Sequence, residues 1–240
     1  MNSKRISTGI PELDPFIEGG FAVGKTYLIT GNPGTGKSIF CLQFLLSGLA
    51  EKEKAVYVAV DEKPGDIVEQ AASLGWDLSR PIEKKEILIL DASAYFGSRA
   101  AAGKEKYIDI DKVIGDLSLY VKRMEATRVV IDPVGPLILP QGSGSRVQDQ
   151  SRMLMHALKN NMTTTNLLTG YTISRSGERS SHGIEEYLVA GTIVLAGRWA
   201  DRRLIRTLRI EKMRATALDL LEHEFQIVKG KGIALRASPY

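Results

Sequence analysis

Residues 31–40, GNPGTGKSIF, set a lysine and a hydroxyl directly behind a run of glycines: Gly31, four residues, then Gly36-Lys37-Ser38. This is the spacing of a phosphate-binding loop. Glycines let successive backbone N–H groups turn inward around an anion, and the N-terminus of the following helix adds partial positive charge. The lysine then reaches the terminal phosphates, and the hydroxyl ligates Mg²⁺. On this reading Gly31, Asn32, Pro33, Gly34, Thr35, Gly36, Lys37, Ser38 and Ile39 hold the phosphates of ATP, with Mg²⁺ beside them. The other reading is a glycine-rich turn that only caps a helix, but such a turn needs no Lys-Ser pair here.

Hydrolysis asks for more than a cradle: a carboxylate on the metal side and a group that orients or activates water. Asp132, after the apolar run RVVI, is the candidate opposite Ser38 on the metal; capping a turn before Pro133 is its alternative use. Asp61 and Glu62 follow AVYVAV and face the place where a γ-phosphate would lie, so either can polarise the attacking water. Their alternative use is to cap a helix that starts near Pro64.

These residues need a scaffold, and the pattern supplies one. TYLIT (26–30), AVYVAV (55–60), EILIL (86–90), RVVI (128–131) and TNLLT (165–169) are short and continuously apolar, as strands buried on both faces of a parallel sheet are. Helical patterns lie between them: residues 38–50, then Ile67, Ala71 and Leu74 after Pro64, then Val113, Leu117, Val121 and Met124. The alternation predicts a doubly wound, mostly parallel α/β sheet with helices on both faces and its ligand at the carboxyl ends of the strands. After residue 190, GTIVLAG, RLIRTLRIEKMR, HEFQIV and KGIAL read as antiparallel hairpins added to that sheet, with RWAD as the first turn and Trp199 at its tip. Three polar stretches, 97–106, 140–149 and 174–183, read as loops.

A chain of 240 residues with 43% hydrophobic and 25% charged content can bury one substantial core, so residues 1–240 are expected to form one domain. With 32 basic against 28 acidic residues, its charge permits a nucleic-acid partner without requiring one. Cys41 is the single cysteine, which rules out a disulfide framework within the chain and suits a reducing cytoplasm. No run approaches the length of a membrane span, and the N-terminus has no apolar signal core, so a soluble, cytoplasmic protein is expected.

Six blocks carry a resemblance: RISTGIPELDPFIEGG, ITGNPGTGKSIFCLQFL, ASLGWDLS, ILILDAS, VVIDPV and EKMRAT. In order and spacing, from about residue 5 to about residue 236, the chain resembles the KaiC-like branch of the RecA superfamily of P-loop ATPases, above all its compact archaeal members known as RadA paralogues or KaiC-domain ATPases. The resemblance implies a RecA-like core and ATP held between subunits of a ring or filament, most naturally a hexamer. It makes Asp61-Glu62 the water-activating pair. The usual pair is Glu-Glu, so the longer Glu62 is favoured over Asp61. It assigns Lys212-Met213-Arg214 to the element whose charges, Lys212 and Arg214, reach a neighbour's γ-phosphate, and Thr169 to a γ-phosphate sensor; Pro133 stands where many relatives have serine. Glu185-Glu186 occupy the region where the autokinase domain of clock proteins carries phosphorylated Ser and Thr, which argues against autokinase activity.

The residues alone also permit a plainer account of Lys212 and Arg214. On one strand they point the same way and can clamp a phosphate jointly, or they form a solvated face paired with Glu211 or Glu222. Loops 140–149 and 174–183 correspond in position to the DNA-facing loops of recombinases. Arg146, Arg175, Arg179 and His182 are therefore the candidates for single-stranded DNA contact, although neither loop has an aromatic stacking platform. The basic stretch 197–209 serves either DNA or subunit contacts, while His156 and His223 read as packing or surface residues. Three functions are carried forward: a slow, assembly-dependent ATPase acting as a switch with a protein partner, an accessory protein of DNA recombination and repair, and an ATP-sensing scaffold that does not hydrolyse.

Overall fold

The computed structural model describes residues 4–92, 109–138, 144–175, 178–181, 188–218 and 221–236, without the side chains of 144–147 and 172–181. A short pair, β1 (Arg5–Ile6) and β2 (Phe21–Ala22), flanks a 3-10 turn at Asp14–Ile17. There follow β3 (Thr26–Gly31), α1 (Lys37–Ala50), β4 (Ala55–Ala59), α2 (Pro64–Ser73), α3 (Ser79–Glu83), β5 (Ile87–Asp91), α4 (Ile110–Met124), β6 (Arg128–Asp132), α5 (Gly135–Ile138) and α6 (Gly144–Asn161). The chain continues through β7 (Thr165–Gly170), β8 (Thr172–Arg175), β9 (Glu178–Ser181), β10 (Gly191–Ala200), β11 (Arg203–Met213), β12 (Glu222–Val228) and β13 (Gly232–Leu235).

Nine strands form one sheet in the order β13-β12-β11-β10-β3-β7-β6-β4-β5. From β10 to β5 every neighbouring pair is parallel; β10 to β13 are joined antiparallel. The apolar strand runs have a direct cause in this arrangement. Tyr27, Ile29, Tyr57, Val130 and Leu167 pack on one face with α1 and α2, and Leu28, Val56, Val58, Val129, Ile131 and Leu168 pack on the other with α4 and α6. Successive residues of a strand point to opposite faces, so a strand covered on both sides has no polar position to show.

The helices start where local chemistry allows. Gly36 caps α1 at φ +106°, a left-handed backbone that disfavours any side chain. Pro64 opens α2 from an extended Lys63, and the Asp66 carboxylate accepts the Lys63 N–H at 3.2 Å. In α4 the Asp109 carboxylate accepts the Lys112 N–H at 3.0 Å, and Val113, Leu117 and Val121 turn inward at helical spacing.

Three expectations need correction. The stretch 140–149 is not a loop throughout: α6 begins at Gly144 and runs on through Leu154, Ala157 and Leu158, whose burial against the sheet holds the helix despite its polar start. Of the expected loop 174–183, residues 172–175 and 178–181 form an antiparallel hairpin. The turn of the β10–β11 hairpin is Asp201-Arg202, with φ +48° and +61°, the primed geometry of a two-residue turn, so Trp199 lies within β10 opposite Leu204 and not at the tip. The remaining polar stretch, 97–106, lies outside the described residues.

Candidate active site

β3, β7, β6 and β4 are adjacent and parallel, so their carboxyl ends form one edge. The candidate residues sit there in spatial order: the glycine-rich loop after β3, Thr169 near the end of β7, Asp132 at the end of β6, and Asp61-Glu62 after β4. A cleft of about 330 Å³ opens along this edge, and Gly34, Gly36, Lys37, Ser38, Asp61, Glu62 and Asp132 all line it. Residues far apart in sequence thus converge because the sheet order β3-β7-β6-β4 brings their strand ends together.

The loop is shaped as an anion cradle. Gly34 has φ +78° and open space where a Cβ would be, while a Cβ at Gly31 would sit 2.2 Å from the Leu195 carbonyl oxygen. The Thr35 hydroxyl donates to the Asn32 carbonyl at 2.8 Å and pins the turn. Lys37 is buried; its Nζ donates to the carbonyls of Gly31 at 2.8 Å and Asn32 at 3.1 Å and lies 4.7 Å from the centroid of the Tyr171 ring. Burial lowers its pKa from the ordinary lysine value, with the nearby Asp132 charge opposing.

Asp132 is not a turn cap. One carboxylate oxygen accepts the Tyr57 hydroxyl and the other the hydroxyl of Thr169, which is fully buried. The oxygens of Ser38 and Asp132 line one cleft and suit a hard cation that keeps its waters and takes few protein ligands, as Mg²⁺ does. Asp61 and Glu62 are also free of the capping role, because the helix starts from Lys63 and is capped by Asp66. The Glu62 carboxyl is raised above its ordinary pKa, first by burial and then by the negative charges of Asp132, Asp66 and Asp61. Asp61 is raised by burial and by Asp132.

Sequence reasoning missed Tyr57, Gln70, Tyr171, Arg206 and Ile227. Tyr57 reaches Asp132 only because β4 and β6 are paired, Tyr57 standing beside Val130. Tyr171 closes over Lys37, two residues beyond Thr169, and that closeness to a strand end was the one readable signal. Gln70, Arg206 and Ile227 line the cleft from α2, β11 and β12, and Arg206 also borders a second cavity under the β10–β11 hairpin.

β11 ends at Met213, so the strand carries Lys212 but not Arg214. Thr192 pairs with Lys212 and Ile193 with Ile210, so Glu211 is an extra residue, a bulge that turns Met213 into the core in place of Lys212. Lys212 Nζ donates to the Val189 carbonyl at 3.0 Å; Arg214 lies beyond the strand, its N–H donating to the Ala190 carbonyl at 2.7 Å, and is exposed. Neither is among the residues lining the cleft. Glu211 pairs with Arg209, and Glu222 accepts from Thr207. The side chains of Arg146, Arg175 and Arg179 lie outside the described residues, as does His182; the backbone sets Arg146 in the first turn of α6 and the other two arginines on the β8–β9 hairpin. His156 sits 2.7 Å from the Asn160 amide on α6, and His223 stacks on Phe16 with ring centroids 4.3 Å apart.

A parallel sheet with a phosphate loop after one strand, an acidic residue ending another and antiparallel strands at the C-terminal end defines a RecA-like P-loop protein. A family model described as "ATPase: KaiC" matches residues 6–239, and the chain belongs to that family. Among solved structures, the KaiC-like protein PH0186 from Pyrococcus horikoshii superposes with a TM-score of 0.82 at 31% identity, covering 98% of this chain and 100% of that one. The UPF0273 protein MK0039 of Methanopyrus kandleri is 33% identical over 95% of this chain and 90% of its own length. The circadian clock oscillator protein KaiC of Thermostichus vulcanus is 31% identical over 96% of this chain, which spans 44% of that protein. The chain thus covers less than half the length of the clock proteins it matches. Among the described residues, no helix is long and apolar enough to cross a membrane.

Proposed function

We propose that this member of the KaiC ATPase family is a Mg²⁺-dependent ATPase that turns over slowly and only when assembled, acting as an ATP-state switch. One observation carries the reading: the cleft holds the phosphate loop, Asp132 and the acidic pair, yet Lys212 and Arg214 are not among its lining residues. Lys37 and Arg206 line the cleft from this chain; Lys212 and Arg214 would act on the γ-phosphate of a neighbouring copy, as the KaiC resemblance implies for a ring, with six subunits as the expected number. Lys37 and the loop amides bind the phosphates, Asp132 is fixed by Tyr57 and Thr169, and Glu62 takes the proton of the attacking water, with Asp61 as the shorter alternative. Mg²⁺, held by Ser38 and Asp132, would neutralise charge on the phosphate oxygens. Self-phosphorylation is not expected, and radiolabelled γ-phosphate should not be retained on the chain.

Turnover per subunit is therefore expected to rise with protein concentration until assembly is complete. Arg214→Ala should bind ATP with little change and lose about 100-fold or more in turnover. Hydrolysis at the full rate by Arg214→Ala, or turnover per subunit that ignores concentration, would end the shared-site reading while leaving ATP binding intact.

The acid side of the pH profile tests the base. A base works ionised, and Glu62 is raised above the ordinary 4.5. The acid limb of kcat/KM, which reports the free protein, is expected above that pH. Glu62→Gln is expected to remove most turnover with ATP binding retained; a kcat/KM limb at or below 4.5 would point away from Glu62.

A further inference from the structure

Two sequence blocks that the cleft does not account for, RISTGIPELDPFIEGG and the end of EKMRAT, meet in the fold. Arg5 on β1 is the junction, with only 13% of its side chain exposed. Its Nη1 donates to the carbonyls of Ile17 at 3.0 Å and Gly20 at 2.9 Å, which fixes the plane of the guanidinium. The other nitrogen, Nη2, shares its protons among the Glu18 carboxylate at 2.9 Å, the Thr216 hydroxyl at 2.9 Å and the Ala215 carbonyl at 3.1 Å. Glu18 extends the grip through its second oxygen, which accepts the Ala217 N–H at 3.3 Å. Thr216 in turn donates to the Arg214 carbonyl at 3.2 Å, while the Arg214 N–H is held by the Ala190 carbonyl.

Residues 214–217 are thus tied down one after another, and hydrogen bonds have to do it because packing does not. Arg214, Ala215 and Ala217 are exposed, and Thr216 is half-buried. Ala215 also has φ +54°, a left-handed backbone that a side chain disfavours and that persists only where its surroundings impose it. A planar guanidinium bonded at both of its ends imposes it, since its fork fixes direction as well as distance. The turn matters for Arg214 because a guanidinium on a loose loop must be ordered each time it engages a phosphate, whereas one on a fixed turn is already placed. We propose that Arg5 and Glu18 are positioning residues for turnover, holding the 214–217 turn in the shape from which Arg214 reaches the nucleotide of a neighbouring copy. The proposal rests on the shared-site reading given above; neither Arg5 nor Glu18 lines the cleft of its own chain.

ATP turnover by mixed assemblies of the full chain tests it. Arg5→Gln keeps an intact cleft and loosens the turn, so it should lose about tenfold in kcat while its ATP affinity, read by calorimetry, stays nearly unchanged. Glu62→Gln keeps the turn and spoils the cleft. When the two are assembled together from diluted subunits in equal amounts, about half of the Arg5→Gln clefts meet the intact turn of a Glu62→Gln neighbour, and turnover should rise about fivefold above the average of the separate proteins. A purely structural role for Arg5 gives no such recovery. Glu18 is half-exposed, so Glu18→Ala supplies a second variant that should fold, with about a threefold loss of turnover and the same direction of recovery on mixing. Full turnover by both variants, or a loss of ATP affinity that matches the loss of turnover, would overturn the proposal. The control is Arg214→Ala mixed with Glu62→Gln. If that mixture recovers and the Arg5→Gln and Glu18→Ala mixtures do not, only the positioning role fails; if it does not recover either, the shared-site reading fails with it.

Discussion

Lys37→Ala is expected to weaken ATP binding by about 100-fold while leaving the fold almost unchanged, because the ammonium interacts with charge in the bound state and with neutral carbonyls without it. In the nucleotide-free chain, Nζ is satisfied by the Gly31 and Asn32 carbonyls and by the Tyr171 ring, a set of neutral groups around a buried cation. Exchanging them for phosphate oxygens yields most of the gain, since a charge-assisted bond in a partly desolvated cleft exceeds a neutral one. Removing the side chain forfeits that gain on binding. In the free protein it releases two carbonyls, that of exposed Asn32, which water can reach, and that of buried Gly31, whose loss is offset by removal of a buried cation. Titration calorimetry should therefore show the loss of affinity while the urea midpoint moves little. Burial also depresses the lysine pKa, so affinity should begin to fall on the alkaline side below the ordinary lysine value of 10.5, and in Lys37→Ala that alkaline limb should vanish. A variant that binds ATP as the unaltered protein does would remove the phosphate loop from the argument.

The features legible in the sequence are those fixed by local spacing. Gly31 to Ser38 is a contiguous loop, and Asp132, Thr169 and the Asp61-Glu62 pair follow or end apolar runs, so finding the strands located the site. Pairing across the sheet was hidden. Nothing near Tyr57 in sequence says that it will bond Asp132, because that depends on β4 lying next to β6. The bulge at Glu211 was equally invisible, since an uninterrupted strand and a bulged one read alike, yet one extra residue moves Lys212 off the face it would otherwise share with Arg206. Gly144 and Ser145 made the start of α6 look like a loop, and only the later burial of Leu154 and Leu158 makes it helical. Arg206 was one arginine among several in a basic stretch, and which of them turns into the cleft is a matter of register.

Arg128→Met is expected to be the most destabilising single change outside the site, at about 3–5 kcal/mol, the cost of breaking one member of a buried ion pair. Arg128 opens β6 and is only 1% exposed, the largest of the fully buried side chains. Its Nε bonds the Glu53 carboxylate at 2.5 Å, a second nitrogen donates to the carbonyls of Ser7 at 2.9 Å and Phe44 at 2.8 Å, and the guanidinium lies 4.6 Å from the Phe44 ring centroid. One side chain thus joins the N-terminal segment, α1 and the turn after it to the sheet that carries Asp132 on the same strand. Methionine fills much of the space but donates nothing, so two carbonyls and a carboxylate lose their partner. Glu53 keeps 26% of its side chain exposed, so Glu53→Gln should cost about 1 kcal/mol, because water and the amide can compensate. The geometry also predicts a coupling. A Cβ on Gly48 would fall 2.5 Å from Arg128 Nε, so Gly48→Ala is destabilising in the unaltered chain by about 1–3 kcal/mol through overpacking. The same change should cost clearly less in the Arg128→Met background, where a flexible thioether yields to pressure and the bonded guanidinium would not. Urea unfolding of the two single variants and the double variant checks this. Strictly additive losses would mean that the guanidinium is free to move aside, and that its bonds do not hold α1 to the sheet.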